Sequence, residues 1–420
     1  MLSEVYFSAV SLQKRPSIRQ TELDFHDETA PLALLVLACE KHDYALTVTD
    51  GAVTEIAGTA NGTAGTWGLW YIEKGSTAFT AAASYDLDAS ACTVTVWAYC
   101  SDGREPAVAV DASGVSIYGY SQAQDVVTLS PVATEIIGSL NAVSTLVGTD
   151  SYSNYPSAVV SGHNDGSIAV VGTYTDPSYE SILAADPDLV VCDGSQYSHV
   201  NMAGKVRSSD AVAVVLYDGK TVTDVLNNIF VTGTAMGYTL RAQEVIGQLQ
   251  VAFLDLDEAV AAYGGSNIMI ALSDDPSPYV AGSSTYANEL LVTVNGTNAF
   301  GDMNGWAHIN YEYISQRDIS KIIIVSSDGS YAATEEDYQK MLNGLSAEWK
   351  STDAYKNGEI YILCENAGEM ASRSGPRCAQ LAELFALILE PEAFDTAVPH
   401  YIGDDYTDYL TITKNLGYGG

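Results

Sequence analysis

The sequence predicts two α/β lobes joined by a long helical connector and preceded by a small all-β domain. Three observations carry this. The hydrophobic pattern changes near residue 120. A long stretch after Thr221 has helical spacing and no strand signal. One signature of tyrosine, glutamate, aspartate and strand occurs once on each side of that stretch.

Residues 1–25 form an N-terminal segment, and 26–118 read as the β domain. Alternating runs such as Tyr44–Thr49 and Cys92–Tyr99 stop at Asp50-Gly51 and Asp102-Gly103, the pattern of antiparallel strands closed by tight turns. Trp67, Trp70, Tyr71 and Trp97 supply its core. The apolar run Pro31–Cys39 is expected as a buried strand. A lipid-anchored leader would need basic residues before it, and Asp24, Asp27 and Glu28 stand there instead.

From 119 to 420 the pattern alternates strand and helix. Within the first lobe (122–220), Asp125–Leu129 is a strand, Ser130 caps a helix whose first residue is Pro131, and Ser144–Gly148, Leu189–Val191 and Val212–Leu216 are further strands. Such apolar strands imply parallel sheets covered on both faces. The connector (221–264) holds two helices, one through Val225, Ile229 and Met236, the next with Val245, Leu249, Phe253 and Leu256 on one face. Strands resume in the second lobe (265–396) at Asn267–Leu272, Lys321–Val325 and Glu359–Leu363. The acidic, aromatic tail (397–420) is expected to strap the second lobe. The repeat ties the lobes together: Tyr179-Glu180 and Tyr311-Glu312 each open a helix, Asp186 and Asp318 each follow six residues after the glutamate, and a β-branched strand comes next.

Composition excludes several function classes. The net charge is −35 over 420 residues, which opposes binding to nucleic acid or to an anionic membrane surface. No run reaches the length of a membrane-spanning helix. The six cysteines include no C-x-x-C pair, and the six histidines no metal-binding spacing, so no metal site is expected. A disulfide among Cys39, Cys92 and Cys100 is open, with no pairing readable. No catalytic triad order, nucleophile elbow or phosphate loop is present, and no enzymatic activity is expected. Asn61-Gly-Thr63 and Asn295-Gly-Thr297 are glycosylation sequons of low specificity.

Several segments, in order, carry a family resemblance. They are Val126–Glu135, Leu146–Pro156, Val171-Gly172, Glu180 to Val190, Tyr286 to Leu291, Gly296–Phe300, Trp349, Asn357–Tyr361, Ser374–Arg377 and Pro391–Phe394. Together they resemble the cobalamin/iron-siderophore periplasmic-binding family of ABC transporter solute-binding proteins, and vitamin B12-binding members in particular. The resemblance implies two Rossmann-like lobes facing each other across a ligand cleft, little hinge motion, an extracytoplasmic location, a monomer, and ABC permease subunits as partners. It gives Glu180 and Glu312 the role of transporter-docking carboxylates, one per lobe. It places Tyr152 and Tyr174 against the ligand, with Tyr279, Ser283, Ser284, Tyr286 and Trp306 opposite. Arg373 and Arg377 are the main cationic candidates, and Arg377 is set among the ligand-binding residues although it can equally be structural. A cleft richer in tyrosine than arginine implies a corrinoid, with ferric siderophore or haem as the alternative. Residues 1–118 lie outside the resemblance, apart from a faint likeness of Thr66–Ile72 to a transcobalamin-like β module. An adhesin or carbohydrate-binding role for the β domain is the competing reading of another class.

Overall fold

The structure, a computed structural model, describes residues 3–9, 19–23, 30–41, 44–56, 58–62, 66–73, 80–100, 109–117, 123–209, 211–327, 329–394 and 396–416. Two compact units make up the chain. One comprises residues 1–124 and 231–239, the other 125–230 and 240–420.

In the first unit, five strands lie in the order Arg19–Leu23, Ser3–Ala9, Cys92–Cys100, Thr66–Glu73, Thr80–Ala81. Two of these strands come from the segment before residue 26. The hairpin Leu46–Thr49/Ala52–Ile56 turns at Asp50-Gly51, both with positive φ, as a two-residue turn matched to strand twist requires. The run expected as a strand is a helix, Pro31–Lys41. Leu and Ala favour helix, Pro31 sits where its missing N–H costs nothing, and eleven residues exceed an ordinary strand. Leu34, Leu35 and Cys39 of this helix join Trp67, Leu69 and Trp97 in the core, and the Trp97 indole donates to the Pro31 carbonyl at 3.3 Å. Cys39 is a buried free thiol, the buried Cys92 thiol donates to Asp88 O at 3.8 Å, and the Cys100 side chain lies outside the described residues. The sequon asparagine Asn61 is a clamp: its amide accepts from Trp67 N at 2.7 Å and donates to Val53 O at 3.2 Å.

The first lobe of the second unit is an all-parallel sheet in the order Ala169–Val170, Leu146–Thr149, Val126–Thr128, Leu189–Asp193, Val212–Leu216. The strand expected from Ser144 starts at Leu146, because Val143–Thr145 form a 3₁₀ turn. Ser130 caps the helix Pro131–Ser139, accepting from Ala133 N. The connector helices are Val222–Ala235 and Thr239–Val260.

The second lobe repeats the parallel centre. Asn267–Ala271 pairs with Thr297–Asn298 on one side and Lys321–Val325 on the other, followed by Ile360–Leu363 and Tyr401–Ile402. Val126–Thr128 likewise stands between Leu146–Thr149 and Leu189–Asp193. The two Tyr-Glu signatures therefore precede topologically equivalent strands. The second lobe adds an antiparallel pair, Tyr279–Ala281 with Trp306–His308.

Beyond Tyr401–Ile402 the tail is locked by one carboxylate. Glu383, fully buried in the helix Cys378–Leu389, accepts five hydrogen bonds of 2.6–2.9 Å from Thr411 N and Oγ1, Ile412 N, and Thr413 N and Oγ1. Five donors compensate the desolvation of one buried charge. Glu383→Ala strands them, so equilibrium urea unfolding should record a loss of about 3 kcal/mol or more. A loss below about 1 kcal/mol would show the tail to be held by its apolar contacts instead.

Candidate functional site

Loops at the carboxyl ends of the parallel strands of both lobes meet around a cavity of about 550 Å³. Open α/β sheets place ligands at this end, and the volume falls in the range of small-molecule sites.

From the first lobe come Tyr174, Asp193, Ser195 and the run Leu216–Lys220. Tyr174 is presented by a turn that only glycine permits. Gly172 has φ +127°, and a Cβ there would lie 2.6 Å from Asp176 O. Thr173 and Asp176 then exchange backbone hydrogen bonds at 3.2 Å. The Tyr174 hydroxyl lies 3.2 Å from Ser195 Oγ and donates to Asp193 Oδ2 at 3.4 Å. Asp193 Oδ1 also accepts from Ser195 N and Oγ. Underneath, the buried His199 ring makes an edge contact with the Tyr174 ring. Its Nδ1 accepts from Asp193 N at 3.1 Å, which leaves Nε2 to donate to Tyr174 O at 2.6 Å. Burial depresses the His199 pKa, against the opposing pull of the Tyr174 carbonyl and of Asp193. Burial, then the Asp193 charge, raises that of Tyr174. Asn228, almost fully buried, fixes Tyr217 by bonds to both its N and its O.

The second lobe contributes Leu272, Ser284, Thr285, Tyr286, Ala287, Gly305, Trp306 and residues 371–374 without Arg373. Thr285 caps the helix Tyr286–Thr293. Gly282 lets the loop close on its neighbour, since a Cβ there would sit 2.4 Å from Met303 O. Trp306 remains 37% exposed. Lys220 is the single cation among the described lining residues, and it is paired with Asp218 at 2.7 Å.

Of the residues singled out from sequence, Tyr174, Ser284, Tyr286 and Trp306 line this cavity together. Tyr152 is 61% exposed and Tyr279 is 51% exposed, and both lie outside the lining. The Ser283 hydroxyl donates to Met303 O. Arg377 does not reach the cavity and leaves the ligand set. It is buried, gives Glu135 two hydrogen bonds at 2.9 and 2.6 Å, and covers the Tyr155 ring. Arg373 is likewise held by Glu135, Glu369, Asn154 and Tyr152 O. Glu180 and Glu312 are exposed, each in the first turn of a short helix, Tyr179–Ala184 and Glu312–Ser315. Asp193, Ser195, Asn228 and Lys220 were not foreseen. The first two immediately follow a buried strand, and the rule on strand ends points to them. The second sequon asparagine, Asn295, donates to Val260 O.

The family model described as Periplasmic binding protein matches residues 126–367. An uncharacterized ABC transporter substrate-binding lipoprotein of Bacillus subtilis is 24% identical over 293 residues, covering 69% of this chain and 87% of that protein. The vitamin B12-binding protein of Pectobacterium atrosepticum is 23% identical over 283 residues, 63% of this chain and 91% of that one. A periplasmic haem-binding protein of Roseiflexus sp. RS-1 superposes with a TM-score of 0.53 at 19% identity, over 65% of this chain and 99% of that structure. Among the described residues no helix is long and apolar enough to cross a membrane, and no group of His, Cys, Asp and Glu could hold a metal ion.

The His199 geometry sets a pH dependence. With its folded pKa below the unfolded value near 6.5, the unfolded chain takes up the proton first as pH falls. Stability present above about pH 6.5 is therefore lost as the solution is acidified through that value. Thermal unfolding between about pH 7.5 and 5 should show a smaller drop in Tm for His199→Gln than for the parent. Equal drops would mean the imidazole does not contribute.

Proposed function

The chain belongs to the periplasmic binding protein family, as a solute-binding protein of an ABC importer, and from that premise we propose that its ligand is a corrinoid held between Tyr174 and Trp306. The observation that carries the reading is the character of the cavity walls. They are aromatic and hydroxylic, with Tyr174, Tyr217, Tyr286 and Trp306 among Ser195, Ser284, Ser372 and Ser374. Large flat ligands are bound by such surfaces with few polar anchors. Anionic chelates call for free guanidinium groups, and both arginines near the cleft are spent on Glu135. Relatives named for vitamin B12 support the same choice, while the haem-binding neighbour shares only its fold.

Delivery falls to Glu180 and Glu312. They are exposed and stand before equivalent strands in the two lobes, so a partner with two equivalent basic pockets would read position and orientation at once.

Calorimetry with cobinamide and cobalamin tests the ligand. Saturable binding is expected, and Trp306→Ala should weaken it about tenfold or more. No binding of either corrinoid, with binding of haem or a ferric chelate, would transfer the cleft to that ligand. In reconstituted transport, Glu180→Ala with Glu312→Ala should abolish uptake and leave ligand affinity within about twofold. A parallel loss of affinity would place the carboxylates in the cleft's own machinery.

A further inference from the structure

We propose that the N-terminal unit binds a sugar ring in a groove beside Trp70, at a second site independent of the cleft. The groove has a volume of about 620 Å³, and its lining belongs entirely to that unit. Its first wall follows from strand alternation. Along Thr66–Glu73, Trp67 and Leu69 enter the core, so Thr66, Gly68 and Trp70 share the opposite face. Gly68 leaves room for the indole: a Cβ there would lie 3.5 Å from Trp70 Nε1. The half-buried Trp70 ring therefore reaches back along its own strand. Ala81 pairs with Trp70, and Ala82 N donates to Leu69 O at 2.9 Å. The second wall is the segment from Ala83 to Asp86 that follows. Tyr85 fixes it, accepting from Val53 N at 3.3 Å and meeting the Trp97 ring edge-on at 4.6 Å. The hairpin turn Asp50-Gly51 also borders the groove.

The lining selects the class of ligand. It holds two carboxylates, Asp50 and Asp86, the hydroxyls of Thr66 and Ser84, four alanines, and no cationic side chain. Among the described residues neither carboxylate has a hydrogen-bond or ion-pair partner, and the Trp70 indole N–H has none. Such a lining accepts hydrogen bonds at its rim and offers an apolar ring beside them. Its ligand must donate several hydrogen bonds and also present an apolar face. A sugar ring does both, with hydroxyls around its edge and C–H groups on its faces. An anion is repelled by the carboxylates. A bare cation gains little, because Asp50 and Asp86 are exposed and water screens such pairs. A ring stacked on Trp70 covers the indole while its hydroxyls replace water on the carboxylates. The groove lies outside residues 126–367, the part that matches the periplasmic binding protein model, so the transport reading gives it no role.

Titration calorimetry of the full chain with cellotetraose, maltotetraose and chitotetraose tests this. Saturable binding of at least one is expected, and Trp70→Ala should weaken it about tenfold or more. Removing an indole can disturb the fold, so Asp50→Asn with Asp86→Asn supplies a second reading. Both positions are exposed, and asparagine tolerates the positive φ of Asp50. That double variant should weaken binding about tenfold at an unchanged Tm. Saturating cobinamide should leave the sugar affinity unchanged, since the two sites are separate. The proposal is overturned by no binding of any of these oligosaccharides, by affinity that survives both variants, by binding of choline in their place, or by competition from cobinamide.

Discussion

The cleft exists because one carboxylate is shared between two lobes. Glu135, on the helix after the first central strand, takes two hydrogen bonds from Arg377 at the start of the helix Cys378–Leu389 and an ion pair from Arg373 at 3.3 Å. Glu135 and Arg377 are both almost fully buried. Burying such a pair gains little against an apolar pair of equal volume, but losing one partner leaves a charge in the interior at a cost of about 3–5 kcal/mol. The pair is thus a constraint of position more than a source of stability. It fixes which residues of one lobe face which of the other, and a bidentate fork admits one orientation.

The brace also assigns the cleft its chemistry. Neither Arg373 nor Arg377 lines the cavity, and both are engaged by Glu135, Glu369, Asn154 and backbone oxygen. The cavity lining is mainly aromatic and hydroxylic, with Asp193, Asp218 and Lys220 as its charged members. The two guanidinium groups nearest Glu135 are thus held in ion pairs and hydrogen bonds within the protein. Asn154 extends the brace, donating to Glu369 at 2.6 Å, and its neighbour Tyr152 lends a carbonyl to Arg373. The segment Tyr152–Tyr155 thus belongs to the brace, and Tyr174 lines the cavity instead.

Legibility followed the range of the forces involved. The parallel strands, the Ser130-Pro131 cap and the connector helices were readable because apolar runs and cap chemistry act over a few residues. The helix Pro31–Lys41 was misread for the same reason: a short apolar run has no periodicity to separate strand from helix, and length and Leu/Ala content were the better guides. At the cavity, Tyr174 and Trp306 are in the lining and Arg377 is buried against Glu135 outside it. Glu135 and Arg377 lie 242 positions apart, and no local pattern announces that one will neutralise the other. Lys220 was passed over although it follows a strand end, and its partner Asp218 lies only two residues away. Asn228, whose two bonds grip a single tyrosine backbone, depends on packing that spacing does not encode.

The near-symmetry of the lobes separates two tasks. Glu180 and Glu312 precede equivalent strands, Leu189–Asp193 and Lys321–Val325, each from the first turn of a short helix, the first capped by Ser178 and the second without a side-chain cap. The ligand side breaks that symmetry. Among the described strands the second lobe carries the antiparallel pair Tyr279–Ala281/Trp306–His308, and the first presents Tyr174 on a glycine turn propped by a buried histidine. The antiparallel pair that distinguishes the second lobe leads within four residues into the helix Glu312–Ser315, so in this lobe the strand that supplies Trp306 and the helix that carries Glu312 are joined by a short link.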